Sequence, residues 1–323
     1  MKTPEFPLTQ NFSGVCPACR FILPPLDESS PLYFDQGAII CSNSGAPADL
    51  WNATLERLQA TAGWIFSLAA LGPKVTHFKL RLEANKGIEV DLTKFGIPAG
   101  ATILAINYTP WGGNALPVET HGNTPHRRIR GTKVCLYGLQ MRTSEGVPIE
   151  VEFSGDNVNV MAVWAQEEET EIAWNYLIDA FESLALGKLS QAIVPAHSAA
   201  EICISRRIRS LLEQHASNEK VGRFMKNELS FSSVLNVILP VVCALVGAKP
   251  LPEVIRGQLN RLRELRNDFV HEGVLPHEVN SDEVRRLLCA SVFGFHYGKY
   301  LDKYVSSWGE CDGATGLKGL RQS

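Results

Sequence analysis

The chain has 323 residues, 45% of them hydrophobic and 20% charged, with a formal net charge of −3. It can bury a sizeable core, and at about 100–200 residues per domain its length predicts two or three domains. The acidic balance excludes a protein that coats nucleic acid non-specifically, so any RNA or DNA contact has to be a local basic patch.

Eight cysteines, with no apolar segment behind Lys2, read as free thiols in a reducing compartment, and the expected location is cytoplasmic. Residues 1–50 are rich in Pro, Ser and Cys without a sustained period, which predicts a small zinc-ribbon-like module. Cys16-Pro-Ala-Cys19 is half of such a ribbon, and Cys41-Ser-Asn-Ser44-Gly45 stands where the other half belongs. Ser44 occupies the place of the fourth thiolate, and serine is a poor zinc ligand. Two readings stay open: a decayed ribbon held by packing, or structural zinc on Cys16, Cys19 and Cys41 completed by a histidine or acid from elsewhere.

Residues 51–165 predict a mainly β, sandwich-like domain with a sensor or substrate role. A short helix opens it, with Leu50, Leu55, Leu58, Ile65, Leu68 and Leu71 at loosely helical spacing. Alternation follows: Phe78, Leu80 and Leu82 against Lys79 and Arg81, Ile149, Val151 and Phe153 against glutamates, and Val158 and Val160 against asparagines. Arg127, Arg128 and Arg130, with His121 and His126, are expected on a loop.

Residues 166–306 change to a helical period, and four amphipathic segments predict an antiparallel four-helix bundle. The first carries Trp174, Leu177, Ile178 and Phe181, the second Ile193, Ala200, Ile204 and Ile208, and the last Val284, Leu287, Leu288, Val292 and Phe295. The third combines an apolar run near 232–247 with a helix from Ile255 to Phe269. No charge falls between Glu228 and Lys249, but the apolar heart from Val234 to Val246 is shorter than the ~18–20 residues a membrane span needs. A buried core helix and no membrane partner are expected there, and residues 307–323 are expected to be a disordered tail. The fold class is therefore multidomain α+β.

One position breaks the pattern. The apolar stripe of the third segment steps through Ile255, Leu259, Leu262, position 266, Phe269 and Val270, and position 266 is an arginine. A guanidinium on a buried face is costly unless paired or turned to a cleft. Asn267 follows it, and His271 comes five residues later, close to the helix end marked by Gly273 and Pro276. Arginine offers a fork of donors to a phosphate and histidine titrates near neutral pH. RNA cleavage through the 2′-hydroxyl needs those two capacities. On a continuous helix the two side chains stand ~140° apart, so a two-fold dimer is the expected way to bring Arg/His sets into one cleft.

The segment Leu265-Arg266-Asn267-Asp268-Phe269-Val270-His271-Glu272-Gly273 resembles the signature of the HEPN superfamily, an arginine followed by a small polar residue and, after four to six intervening residues (four here), a histidine late in the third helix of a four-helix bundle. The resemblance covers residues 167–306. It implies an endoribonuclease of toxin or antiviral-defence type that needs no cofactor for catalysis, works as a homodimer and leaves 2′,3′-cyclic phosphate and 5′-hydroxyl ends on its RNA substrate. Arg266 and His271 carry over as catalytic, Asn267 as a supporting polar residue, and Glu201 as the acid that many such domains hold on the second helix. Arg206, Arg207, Arg209 and Arg263 are candidate RNA-binding residues, against the alternative of a solvated helix face. Because free activity would be toxic, a trigger or regulator acting on residues 1–165 is expected. Two rival readings stand beside this one. The bundle is a catalytically silent dimerisation or ligand-binding scaffold, or the N-terminal region makes the chain a regulator that reads nucleic acid.

Overall fold

The computed structural model describes residues 5–7, 14–21, 23–24, 26–60, 74–110, 118–121, 129–130, 132–138, 143–148, 158–166, 172–227, 229–276 and 278–311. The chain is a mixed α+β protein that divides into two compact units, one of residues 1–9 with 71–170 and the other of residues 10–70 with 171–323. The cysteine-bearing segment thus belongs to the helical unit, where sequence alone sets residues 1–50 apart.

The β unit follows from alternation. Strand β1 (Glu5–Pro7) pairs with β4 (Lys74–Leu80), which pairs with β10 (Val158–Gln166), then β6 (Ala101–Pro110) and β8 (Ile129–Arg130), all antiparallel. A second antiparallel sheet orders β5 (Gly87–Asp91), β9 (Lys133–Gly138) and β7 (Val118–His121). Both sheets send apolar side chains into one core that includes Phe78, Leu80, Val90, Ile103, Leu136, Val160 and Trp164. Lys79 and Arg81 alternate outward, as a half-buried strand requires. Within the core, Trp164 Nε1 donates to Thr76 Oγ1 at 2.9 Å, so the indole N–H is satisfied where water cannot reach it. His121 and Arg130 end strands β7 and β8 rather than sitting on a loop. Ile149, Val151, Phe153, His126, Arg127 and Arg128 lie outside the described residues, as do Ile65, Leu68 and Leu71.

The helical unit begins with a feature that composition concealed. Leu26–Gln36 forms helix α1 despite Ser29, Ser30 and an internal Pro31. Its propensity is poor, and tertiary packing supplies the difference. Phe34 meets Tyr297 edge-on at 5.0 Å and Phe293 at 6.3 Å, while Asp35 accepts from Tyr300 and pairs with Lys303 at 2.8 Å. After the hairpin β2 (Ile39–Ile40) and β3 (Pro47–Ala48), helix α2 (Leu50–Ala60) sets Trp51 against Phe293 at 5.5 Å.

Helices α3 (Ile172–Ala185) and α4 (Leu189–Glu213) follow the expected stripes. The short α5 (Asn218–Asn227) has Val221 as its one fully buried residue and was not anticipated. Helix α6 (Phe231–Val246) contains a π-helical turn over Val234–Ile238. It buries Val234, Leu235, Leu239, Val242 and Cys243, but leaves Val237, Val241 and Leu245 more than half exposed, so the expected buried core helix is buried on one face only. Among the described residues no single helix is long and apolar enough to cross a membrane. Helix α7 (Glu253–Glu272) ends at Gly273, whose left-handed backbone caps Phe269 O. Helix α8 (Ser281–Cys311) takes in the first five residues of the expected tail, and residues 312–323 lie outside the described residues.

Helix α4 packs against α3, α7 and α8. Its seam with α8 is built from small residues: Ala196, Ala200 and Cys203 face Ser291, Gly294 and Gly298. A Cβ on Gly298 would stand 2.4 Å from Cys203 Sγ and 3.1 Å from the Cys203 backbone, so only glycine permits this approach. The Ser291 hydroxyl donates to Ala196 O and Cys203 Sγ to Phe295 O at 3.2 Å, which ties the seam without polar loss.

Candidate functional site

Helix α7 buries Ile255, Leu259, Leu262 and Leu265 completely. The stripe therefore turns through position 265, and Arg266 flanks it, half-buried, rather than standing at its centre. Arg266 Nη1 donates to Asn267 Oδ1 at 3.1 Å, so the neighbouring amide orients the guanidinium. On α4, Glu201 lies within electrostatic reach of Arg266. Burial pushes the Glu201 carboxyl above its ordinary value, and Arg266 pulls it back.

A residue that sequence reasoning passed over joins them. His197 lies one helical turn before Glu201 on α4 and is only 4% exposed. Its Nδ1 is 3.4 Å from Glu201 Oε2, yet neither ring nitrogen makes a hydrogen bond, and the ring meets Phe231 edge-on at 5.1 Å. Burial, with the charges of Arg266 and Arg263, holds the imidazole down to about 4, so His197 is neutral at neutral pH. A signal existed: the stripe Ile193, Ala200, Ile204 passes through position 197 at helical spacing.

Glu201 also lines a cleft of ≈ 410 Å³ between α4, α5 and the start of α6. Arg206, Arg209 and Lys226 bring cations to it, over an apolar floor that includes Ile202, Met225, Leu229 and Phe231. The other candidate arginines do not line this cleft. Arg207 turns to α8, with Nε 2.6 Å from Asp302 Oδ1, and Arg263 Nη2 is 3.7 Å from Glu264 Oε1. Arg209 also pairs with Glu213 at 2.7 Å, an i,i+4 contact on the same helix.

His271 sits in the last turn of α7 and is exposed, with Val270 and Val274 exposed beside it. Because the helix continues to Glu272, five residues separate Arg266 and His271 by ~140° and ~7.5 Å of rise. The two side chains therefore leave the helix in diverging directions. In the same unit, Cys16, Cys19 and Cys41 place their sulfurs within 4.8 Å of one another, close enough to bind one metal ion. Hydrogen bonds from Asn43, the Phe21 backbone and Ser44 hold the Cys19 thiol down to about 6. Among the described residues no histidine or carboxylate joins that group. Comparison with protein-family models, curated proteins and solved structures found no match.

Proposed function

We propose that the helical unit is a HEPN-like, metal-independent endoribonuclease, acting on RNA by 2′-hydroxyl attack to give 2′,3′-cyclic phosphate and 5′-hydroxyl ends. The observation that carries this reading is the half-buried Arg266, hydrogen-bonded to Asn267 and within electrostatic reach of Glu201, the acid of α4 that lines a basic cleft. Arg206, Arg209 and Lys226 suit the path of a phosphate backbone, and the apolar floor suits a base. In this reading Arg266 stabilises the charge that grows on the reacting phosphate, and the solvent-exposed His271 moves the proton. The Arg266–His271 separation requires a homodimer, and the exposed Val270 and Val274 offer apolar surface next to the histidine for that contact. Toxin or antiviral-defence service, with a trigger acting on residues 1–165, completes the proposal.

A second reading is favoured by one observation. Arg266 and Glu201 already offset part of one another's charge beside a neutral His197, as the internal ties of a silent ligand-binding or dimerisation scaffold would. The test is cleavage of total cellular RNA by the purified full chain in excess EDTA, beside Arg266→Ala and His271→Ala, with chemical analysis of the ends. Cleavage by wild type alone, leaving cyclic phosphate, is expected. Cleavage that survives either substitution overturns the site assignment, and silence of the wild type at every protein concentration favours the scaffold.

A further inference from the structure

The segments around Cys16 and Cys41 are backbone copies of each other. Cys16 N donates to Phe21 O at 2.8 Å and Arg20 N donates to Cys16 O at 2.8 Å. Cys41 N donates to Ala46 O at 2.9 Å and Gly45 N donates to Cys41 O at 2.8 Å. The residue closing each turn is left-handed, Arg20 at φ 61 and Gly45 at φ 69. Arg20 accepts a conformation that an arginine rarely adopts, which marks the turn as imposed by its surroundings. Two equivalent knuckles of this kind facing each other form a four-cornered site, and their corners are Cys16, Cys19, Cys41 and Ser44.

Distances agree with that construction. Cys19 Sγ and Cys41 Sγ are 3.6 Å apart, and Cys16 Sγ is 3.6 Å from Ser44 Oγ. With Zn–S near 2.3 Å, a tetrahedron has edges of ~3.8 Å, so Cys19 and Cys41 already stand at ligand separation, and all three sulfurs lie within 4.8 Å of one another. Cys16 and Cys41 are buried while Cys19 is half-exposed and Ser44 exposed, so the oxygen corner faces solvent. Soft thiolates in a tetrahedral set select zinc over magnesium or calcium.

We infer that this chain binds one Zn²⁺ through Cys16, Cys19 and Cys41, with Ser44 at the fourth corner. The ion displaces the thiol protons and joins the two knuckles that flank α1 in sequence. It thereby fixes the ends of the loop from which Phe34 and Asp35 reach Phe293, Tyr297, Tyr300 and Lys303 of α8. The site is structural, and it stands or falls independently of the ribonuclease reading.

The experiment uses the full chain, reduced, stripped by chelator and titrated with Co²⁺ and then Zn²⁺, beside Cys41→Ala and Ser44→Cys. Wild type is expected to take up one Co²⁺ with a thiolate charge-transfer band and tetrahedral ligand-field bands, and Zn²⁺ should displace it. Zn²⁺ should raise the melting temperature and slow hydrogen exchange in residues 26–36. Cys41→Ala should lose the spectrum. Ser44→Cys should keep one ion, gain charge-transfer intensity by the share of one added thiolate, and bind more tightly. The inference is overturned by a wild type that binds no Co²⁺ with its thiols reduced, or by a Ser44→Cys spectrum identical to wild type. Binding that survives Cys41→Ala overturns it too, as does a stable Cys19–Cys41 disulfide in protein purified under reducing conditions. Unchanged exchange in residues 26–36 overturns the clamping role.

Discussion

His197 makes the fold sensitive to acid, and the size of the effect can be worked out. In the folded chain the imidazole titrates at about 4, because it is buried and feels the charges of Arg266 and Arg263, against 6.5 when unfolded. The folded value is depressed, so the unfolded chain binds the proton first as pH falls. Stability from this residue is fully present above about 6.5 and is lost progressively down to about 4. The loss relative to neutral pH is about 2 kcal/mol at pH 5 and about 3 kcal/mol once both states are protonated. Glu201 works in the opposite direction, since its raised value lets the folded state take a proton earlier. The measurement must therefore isolate the histidine. Urea unfolding followed by circular dichroism between pH 7 and pH 4.5 does so when wild type is compared with His197→Leu and His197→Gln. Whatever offset these variants show at pH 7, their stability relative to wild type should improve by about 2 kcal/mol at pH 5. Stability curves that stay parallel to wild type across that range would refute a buried, neutral His197 coupled to Arg266.

The α4–α8 seam and the cleft give two further tests. Gly257 in α7 is exposed and nothing lies within 4 Å of an added Cβ, so Gly257→Ala should stabilise by about 0.5–1 kcal/mol. Gly298→Ala gains the same propensity but forces a Cβ onto Cys203 Sγ and backbone, at an overpacking cost of about 1–3 kcal/mol, and should lose about 1–2 kcal/mol net. Equal midpoints for the two variants in urea would overturn the seam's close approach. Reversing the charges that line the cleft, Arg206→Glu with Arg209→Glu, should weaken RNA binding and flatten its salt dependence by about 1 for each phosphate no longer neutralised. An unchanged salt slope would remove the cleft from the RNA path.

What was legible in the sequence was periodicity. Phe78, Leu80 and Leu82 alternate inward on and just after β4, and the stripes of α3, α4 and α8 follow their apolar spacing, because burial of one face dictates them. Helix α1 was not legible: its serines and Pro31 argue against a helix, and the packing of Phe34 on α8 overrides them from 259 residues away (Phe34 to Phe293). Position 266 misled by one residue, since Leu265 and Arg266 adjoin and the helix turns the leucine in. His197 escapes a reading by charge because a neutral imidazole breaks the apolar stripe of α4 less sharply than a guanidinium breaks that of α7. The Ser44 corner was legible from spacing alone, since each knuckle is a local turn whose geometry depends on few residues.

The arrangement of Arg266 and His271 has a consequence for how two inactive proteins behave when mixed. Helix α7 runs unbroken to Glu272, so the two side chains diverge within one chain. In a two-fold dimer each site would then pair Arg266 of one protomer with His271 of its partner, and the same patch would serve both copies. Mix Arg266→Ala with His271→Ala protomers and let them exchange. Each mixed dimer holds one site lacking both residues and one site with both, because the intact Arg266 comes from the His271→Ala copy and the intact His271 from the other. Half of the dimers are mixed and half of their sites are whole, so about a quarter of wild-type cleavage should return. Recovery of that size, rising with protein concentration and absent from either variant alone, is the outcome a shared site demands. No recovery between variants shown by native mass spectrometry to form mixed dimers would place catalysis within one chain. The proton carrier would then have to be sought on the α4 side of Arg266, where His197 stands.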